Sequence, residues 1–217
     1  MTRITILGGH GKVALLLAKL LHPEHSVTSV IRNPAQSAEV AEIGAQPLVF
    51  DLEEASVEDY AKLFEDAEIV VWSAGAGGKG GPERTYKVDR DAALRAIEGA
   101  ERANVKRYIT VSFLRSTVEN KLQNSALRVY AEAKATADKA LINSKLNWTI
   151  IGPGSLTLDD ASGKIELDPP FTEQRVHVSR ANVSLVIAYT ISHFEDTNNR
   201  IIDFGDGNVP IVEALQR

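Results

Sequence analysis

Short β-branched runs alternate with helical patterns along most of this chain, and that rhythm restricts its fold more than any other feature. Ile4-Thr5-Ile6-Leu7 reads as a strand, and Lys12 to Leu21 as a helix with a leucine-rich face. Val27 to Ile31, Leu48 to Phe50, Ile69 to Trp72, Tyr108 to Val111 and Trp148 to Ile151 are the further strands. Helical patterns fill the intervals, from Pro34 to Ile43, Val57 to Phe64, Val88 to Ala103 and Ala126 to Ile142. Such a repeat is satisfied by right-handed crossovers that lay helices over both faces of a parallel sheet. The expected architecture is α/β, a doubly wound parallel sheet in one domain, since 217 residues can bury one sizeable core.

After Pro153 the rhythm loosens. Leu156 to Arg175 is polar and is interrupted by Gly163 and Asp168-Pro169-Pro170, which predicts loops and short strands. A helix resumes at Ala181 to Ser192, followed by a strand at Ile201 to Phe204. Residues 1–152 are therefore expected to form the core. Residues 153–217 are expected to complete a pocket, because ligands of open α/β sheets sit beyond the carboxyl ends of the strands.

Gly8-Gly9-His10-Gly11-Lys12-Val13-Ala14 directly follows the first strand and opens the first helix. A dinucleotide needs its pyrophosphate close to backbone N–H groups at a helix N-terminus, where the helix dipole is positive. Side chains at Gly8 and Gly11 would block that approach, and Ala14 is small enough for helix and strand to pack closely. Taken alone, the turn could be an ordinary strand–helix junction; its position after the first strand supports a cofactor. The next strand ends Val30-Ile31-Arg32-Asn33-Pro34, without the acid that takes the ribose hydroxyls of NAD. Arg32 can instead pair with a 2′-phosphate, and Lys12 adds a nearby cation, so NADP(H) is preferred over NAD(H). Asp51-Leu52 follows the third strand, where adenine should lie. Ser73-Ala74-Gly75 ends the fourth, where backbone passes close to the cofactor ribose. Gly75, Gly77, Gly78, Gly80 and Gly81 make an open loop, either a lid or an unpacked connection.

Composition removes several alternatives. A net charge of −5 offers no basic surface for nucleic acid or anionic lipid. With no cysteine there is no disulfide, thiolate metal site or thiol nucleophile. His10, His22, His25, His177 and His193 are scattered without ligand spacing, so no metal is expected. No apolar run nears the roughly 18 residues of a membrane span, and Met-Thr-Arg leads straight into a strand. The expected setting is cytoplasmic, as a monomer or homodimer acting on a small molecule.

These motifs together resemble the atypical short-chain dehydrogenase/reductases, of the NmrA-like group that includes biliverdin reductase B-type flavin reductases. The resemblance runs through Gly8-x-x-Gly11-x-x-Ala14, Arg32-Asn33-Pro34, Asp51-Leu52, Ser73-Ala74-Gly75 and Val88-Asp89. It continues through Val105-Lys106-Arg107, Tyr130-Ala131-Glu132-Ala133-Lys134, Trp148 to Gly154 and the ending Gly205 to Leu215. It implies a Rossmann domain that binds NAD(P). Tyr130 and Lys134 share a helix face four residues apart. The resemblance implies that Tyr130 exchanges the proton at the reacting oxygen, while Lys134 lowers the tyrosine pKa and holds the ribose. Ser112 is the serine partner, but the next position, where active members usually carry a second Ser or Thr, holds Phe113, an apolar wall for a nicotinamide or flavin-like ring. Gly152-Pro153-Gly154 departs from the usual Arg-Pro-Gly and leaves Pro153 and Gly154 to meet the carboxamide through backbone. Two functions follow from this pattern. One is an NADP(H)-dependent reductase of a small carbonyl, quinone or flavin; the other is an NmrA-like redox sensor without turnover. Sugar-nucleotide epimerase chemistry ranks third, because the segment after Pro153 is short.

Overall fold

The computed structural model describes residues 1–77, 80–116, 127–170 and 176–216. Strand β1 (Arg3–Leu7) buries every residue after its first, as befits a central strand covered on both faces. It feeds the glycine turn into α1 (Lys12–Leu21), which returns to β2 (Ser26–Ile31). The next crossover holds α2 (Ser37–Glu42) and leads to β3 (Gln46–Val49); α3 (Val57–Leu63) then leads to β4 (Ile69–Trp72). After β4 come α4 (Gly81–Thr85), a π-helical stretch over Tyr86–Ala92, and α5 (Ala93–Arg102). Strand β5 (Arg107–Val111), α6 (Arg128–Ile142) and β6 (Trp148–Pro153) complete the regular alternation.

The tail adds β7 (Ser155–Thr157), β8 (Lys164–Leu167), β9 (His177–Ser179) and α7 (Arg180–Ser192). It closes with α8 (Phe194–Thr197), β10 (Arg200–Asp206), β11 (Val209–Pro210) and α9 (Ile211–Leu215). The main sheet has the order β11-β8-β10-β6-β5-β4-β1-β2-β3. The strands from β3 to β10 pair parallel, and β8 and β11 are antiparallel additions. Both ends of the sheet carry proline, Pro47 in β3 and Pro210 in β11. Strands β7 and β9 pair apart from this sheet.

Alternate residues of the central strands supply two cores. Ile4, Ile6, Ile69, Val71, Ile109 and Ile151 face α1 and α7, which contribute Leu17, Val183 and Ile187. Leu7, Val70, Trp72, Tyr108 and Ile150 face the other side, where Tyr60, Ala96, Ile97 and Leu141 cover them. The order reverses between β1 and β4, which pair Leu7 with Trp72. Their carboxyl ends therefore open a crevice, since the connections leave in opposite directions.

Some elements differ from the sequence pattern. The single helix expected over Val88–Ala103 is a π-helical stretch followed by α5. The glycine loop is cut short by α4, whose first turn carries Pro82, a residue that suits a helix start. Ala126 and Gly78 lie outside the described residues, as do residues 171–175 of the polar segment. Helix α6 starts at Arg128, and β6 and β10 each extend beyond their predicted ends.

Candidate active site

The glycine turn is packed from one side and open on the other. Gly8 has φ +77°, and a Cβ there would lie 2.7 Å from the Ala74 Cα, so β1 and β4 depend on its having no side chain. Gly9 donates its N–H to the Val30 carbonyl at 2.8 Å, and Gly11 donates to Gly8 at 2.8 Å. Gly11 caps α1 in an ordinary extended conformation, with no side-chain cap and no acid in the first turn. A Cβ on Gly11 would meet only the Gly8 carbonyl, at 3.1 Å. The first-turn residues, exposed Lys12 and buried Val13, therefore present a helix N-terminus to a cradle that glycine keeps open.

A cleft of about 470 Å³ opens over this turn. Gly8, His10, Gly11, Arg32, Leu52, Ser73, Ala74 and Gly75 line it, so eight predicted cofactor residues from four loops meet there. His10 is held on both ring nitrogens, by the Gln36 side chain at 2.9 Å and Glu39 at 2.6 Å. Asp51 does not line the cleft; its carboxylate accepts the Glu53 N–H at 2.9 Å and shapes the turn after β3. Arg32 reaches Glu53 Oε1 at 2.9 Å, and Arg84 of α4 reaches the same oxygen at 3.0 Å. Glu53 and Arg84 also line the cleft.

The predicted catalytic residues gather beyond β5. Phe113 and Tyr130 pack with ring centroids 5.5 Å apart. Lys134, one turn beyond Tyr130, is 2% exposed and donates from Nζ to the Val111 carbonyl at 2.8 Å. Two buried carboxylates neighbour it. Asp138 accepts a hydrogen bond from the Ser112 hydroxyl, and Asp89 accepts the Ala76 N–H at 3.1 Å. Burial pushes both acids up from the ordinary carboxylate value, against the opposing pull of Lys134. Tyr130 is lifted as well, first by burial and then by Asp89 and Asp138. That direction is opposite to the one the resemblance implies, and Lys134 spends a hydrogen bond on the Val111 carbonyl. Asp89 joins the two regions, because its Oδ1 would lie 3.0 Å from a Cβ on cleft-lining Gly75.

Pro153 and Gly154 have their backbone engaged within the protein. The Pro153 carbonyl accepts from Leu114 at 2.8 Å, and the Gly154 N–H donates to Phe204 at 2.9 Å. At Gly152 the place of a side chain is taken: a Cβ there would fall 1.9 Å from Asp203 Oδ1. Asp203 pairs with Gly152 in the β6–β10 register and accepts the Arg115 N–H at 3.0 Å. Burial raises its carboxyl, with Asp168 and Asp138 adding to the rise. Among the described residues, no group of three or more His, Cys, Asp or Glu is placed to hold a metal ion.

A family model described as NAD(P)H-binding matches residues 8–194, starting at the first glycine of the turn. The chain belongs to this NAD(P)H-binding family. A relative in Bacillus subtilis (strain 168), named as an uncharacterized sugar epimerase, is 34% identical over 218 residues, with 99% of each chain covered. A relative in Saccharomyces cerevisiae is 32% identical over 222 residues, covering 99% of this chain and 97% of that one. A solved structure from Bacillus halodurans, described as a candidate NAD-dependent epimerase/dehydratase, has TM-score 0.89 and 32% identity, with 99% of each chain covered. An Escherichia coli O157:H7 anaerobillin reductase shares the fold at TM-score 0.76 and 22% identity, over 96% of this chain and 98% of that one. So does a Veillonella parvula DSM 2008 short-chain dehydrogenase/reductase in complex with NADP, at TM-score 0.73 and 22% identity, over 96% of each. These neighbours are Rossmann-type proteins, in agreement with the sheet order.

Sequence reasoning assigned no role to three residues of this candidate site. Glu53 stands two places beyond a turn aspartate, and Arg84 is the first cation of the helix that ends the glycine loop. Nothing local links them. Asp89 carried a signal: an acid next to Val88, leading into the apolar Ala92-Ala93, sits on a face that must be buried.

Proposed function

We propose that this chain is an NADP(H)-dependent reductase that delivers a hydride to a small carbonyl, quinone or flavin. The observation that carries this reading is the glycine-lined cleft over the start of α1, with Phe113 and Tyr130 packed against each other beyond β5. A tyrosine hydroxyl beside such a wall can give a proton to a reacting oxygen. When bound, the nicotinamide supplies the hydride. The chain's own residues do the rest. Gly8 and Gly11 admit the pyrophosphate and the α1 N-terminus receives it, while Arg32 offers its guanidinium to a 2′-phosphate. Phe113 gives a flat acceptor an apolar wall. Asp89 accepts the Ala76 N–H and so anchors the backbone beside Gly75 at the cleft.

The test is NADPH oxidation by the purified protein against a panel of quinones, flavins and aldehydes, with NADPH and NADH titrations alongside. Turnover with at least one acceptor class, and tighter binding of NADPH than NADH, are expected. Tight NADPH binding with no turnover against the whole panel would remove the reductase reading.

A further inference from the structure

One carboxylate oxygen at the mouth of the cleft holds two arginines from distant parts of the chain. Glu53 Oε1 accepts from Arg32 Nη1 at 2.9 Å and from Arg84 Nε at 3.0 Å. Arg32 follows β2, Glu53 follows β3 and Arg84 belongs to α4, so three separate connections converge on that atom. Glu53 is the most enclosed of the three, with its side chain 18% exposed against 26% for Arg84 and 59% for Arg32. Two guanidinium groups against one carboxylate leave an excess positive charge facing the cleft. A phosphate monoester dianion could engage both guanidinium forks at once, whereas a ribose hydroxyl carries no charge to compete with a carboxylate.

We propose that Glu53 is an internal counter-ion standing where a 2′-phosphate would draw the two arginines, and that Arg84 is the second cation of that phosphate site. Selectivity between NADPH and NADH is then set by competition. The 2′-phosphate must take Arg32 and Arg84 from Glu53 and is repelled by it. An unphosphorylated ribose leaves the triad intact and can donate its hydroxyl to Glu53. The cation on α4 also links cofactor choice to the helix that ends the glycine loop, because Arg84 is released from Glu53 when the phosphate enters. This inference rests on the cofactor reading above but makes a separate claim, about which residues set the ratio of the two affinities.

The experiment is titration of NADPH and NADH into the unmutated chain, Glu53→Gln and Arg84→Ala, with melting temperatures as the control for folding. Glu53→Gln keeps the size and an acceptor oxygen but removes the charge, so it preserves the packing around both arginines. It should tighten NADPH by about tenfold and leave NADH within about threefold, the scale of one charge-assisted interaction. Arg84→Ala should weaken NADPH by about tenfold or more with NADH nearly unchanged, and Arg84→Lys should recover part of the loss. The ratio of the two dissociation constants must therefore move in opposite directions in the two variants. A ratio unchanged in either variant overturns the proposal, even where the unmutated chain prefers NADPH. Conversely, equal affinities in the unmutated chain would end the NADP preference while leaving the opposite shifts required. Failure of the cofactor preference and failure of this inference therefore give different results.

Discussion

A single methyl group added at Gly11, and separately at Gly8, should separate ligand approach from packing within the same turn. At Gly8 the methyl would meet backbone: Ala74 Cα lies 2.7 Å away and Ala74 N 2.8 Å, and φ is +77°. The left-handed conformation costs an L-residue about 1–2 kcal/mol, and displacing β4 backbone adds about 1–3 kcal/mol of overpacking. The sum, about 2–5 kcal/mol, corresponds to a melting point roughly 4–20 °C lower for a chain of this size. At Gly11, φ is −66° and only the Gly8 carbonyl stands near, at 3.1 Å. Alanine there costs only what a poorer N-cap costs, about 0.5–1 kcal/mol, or roughly 1–4 °C. Its methyl would instead stand in the otherwise open space of the turn, where the proposed function puts the pyrophosphate. Losing one charge-assisted hydrogen bond of about 1.5–3 kcal/mol weakens NADPH roughly 10- to 150-fold. Thermal denaturation followed by circular dichroism, with NADPH titration of each folded variant, reads both quantities. Unchanged NADPH affinity in Gly11→Ala would show that the turn is only a structural junction. A Gly8→Ala chain that melts within about 2 °C of the parent would refute the packing argument.

Tyr130→Phe keeps the ring against Phe113 and removes the proton donor, so kcat for a carbonyl acceptor should fall about 10²- to 10⁴-fold with little change in NADPH affinity. For a flavin or quinone, which can collect its proton from water, that variant should be nearly silent and Phe113→Ala should be the damaging one. Lys134→Met removes the ammonium that donates to the Val111 carbonyl; leaving that carbonyl without its donor costs about 1–3 kcal/mol, read as a lower denaturant midpoint. Gly152→Ala should destabilise through its clash with Asp203 Oδ1, and adding Asp203→Ala in the same chain should restore most of the melting temperature. Asp203 also gives a pH signature. Burial raises its carboxyl in the folded chain, so the folded state binds that proton more tightly and stability falls as pH rises through the raised value. Asp203→Asn removes this loss, and its gain in melting temperature should be small near pH 4 and larger near pH 7.

What could be read from sequence was local. The glycine turn was legible because one short segment holds the strand before it, the glycines and the helix after it. The sheet was legible because β-branched runs such as Ile69-Val70-Val71-Trp72 recur between helical patterns. Arg32 was visible as a missing acid at the end of β2. Its partner was not, because Glu53 and Arg84 meet it only once three crossovers have been folded. The state of Tyr130 was likewise hidden: the spacing to Lys134 is local, but the burial that chiefly raises the tyrosine, and the added push of Asp89 from the π-helical stretch, exist only in the folded chain. At Gly152 the sequence showed an arginine absent, and only the β6–β10 register shows that an aspartate fills the space.

Pro47 and Pro210 bear on how copies of this chain can meet. An outermost strand ordinarily presents a row of free donors and acceptors onto which a stranger's backbone can template. Each of these prolines deletes one donor from its rim, and β11 is only two residues long, too brief to seed a continuing ladder. A sheet of nine strands among the described residues, blunted at both margins, resists growth by strand addition. Self-association, where it occurs, is thereby directed away from the sheet margins and onto the helical faces, whose side chains can be complementary without exposing an endlessly extendable backbone.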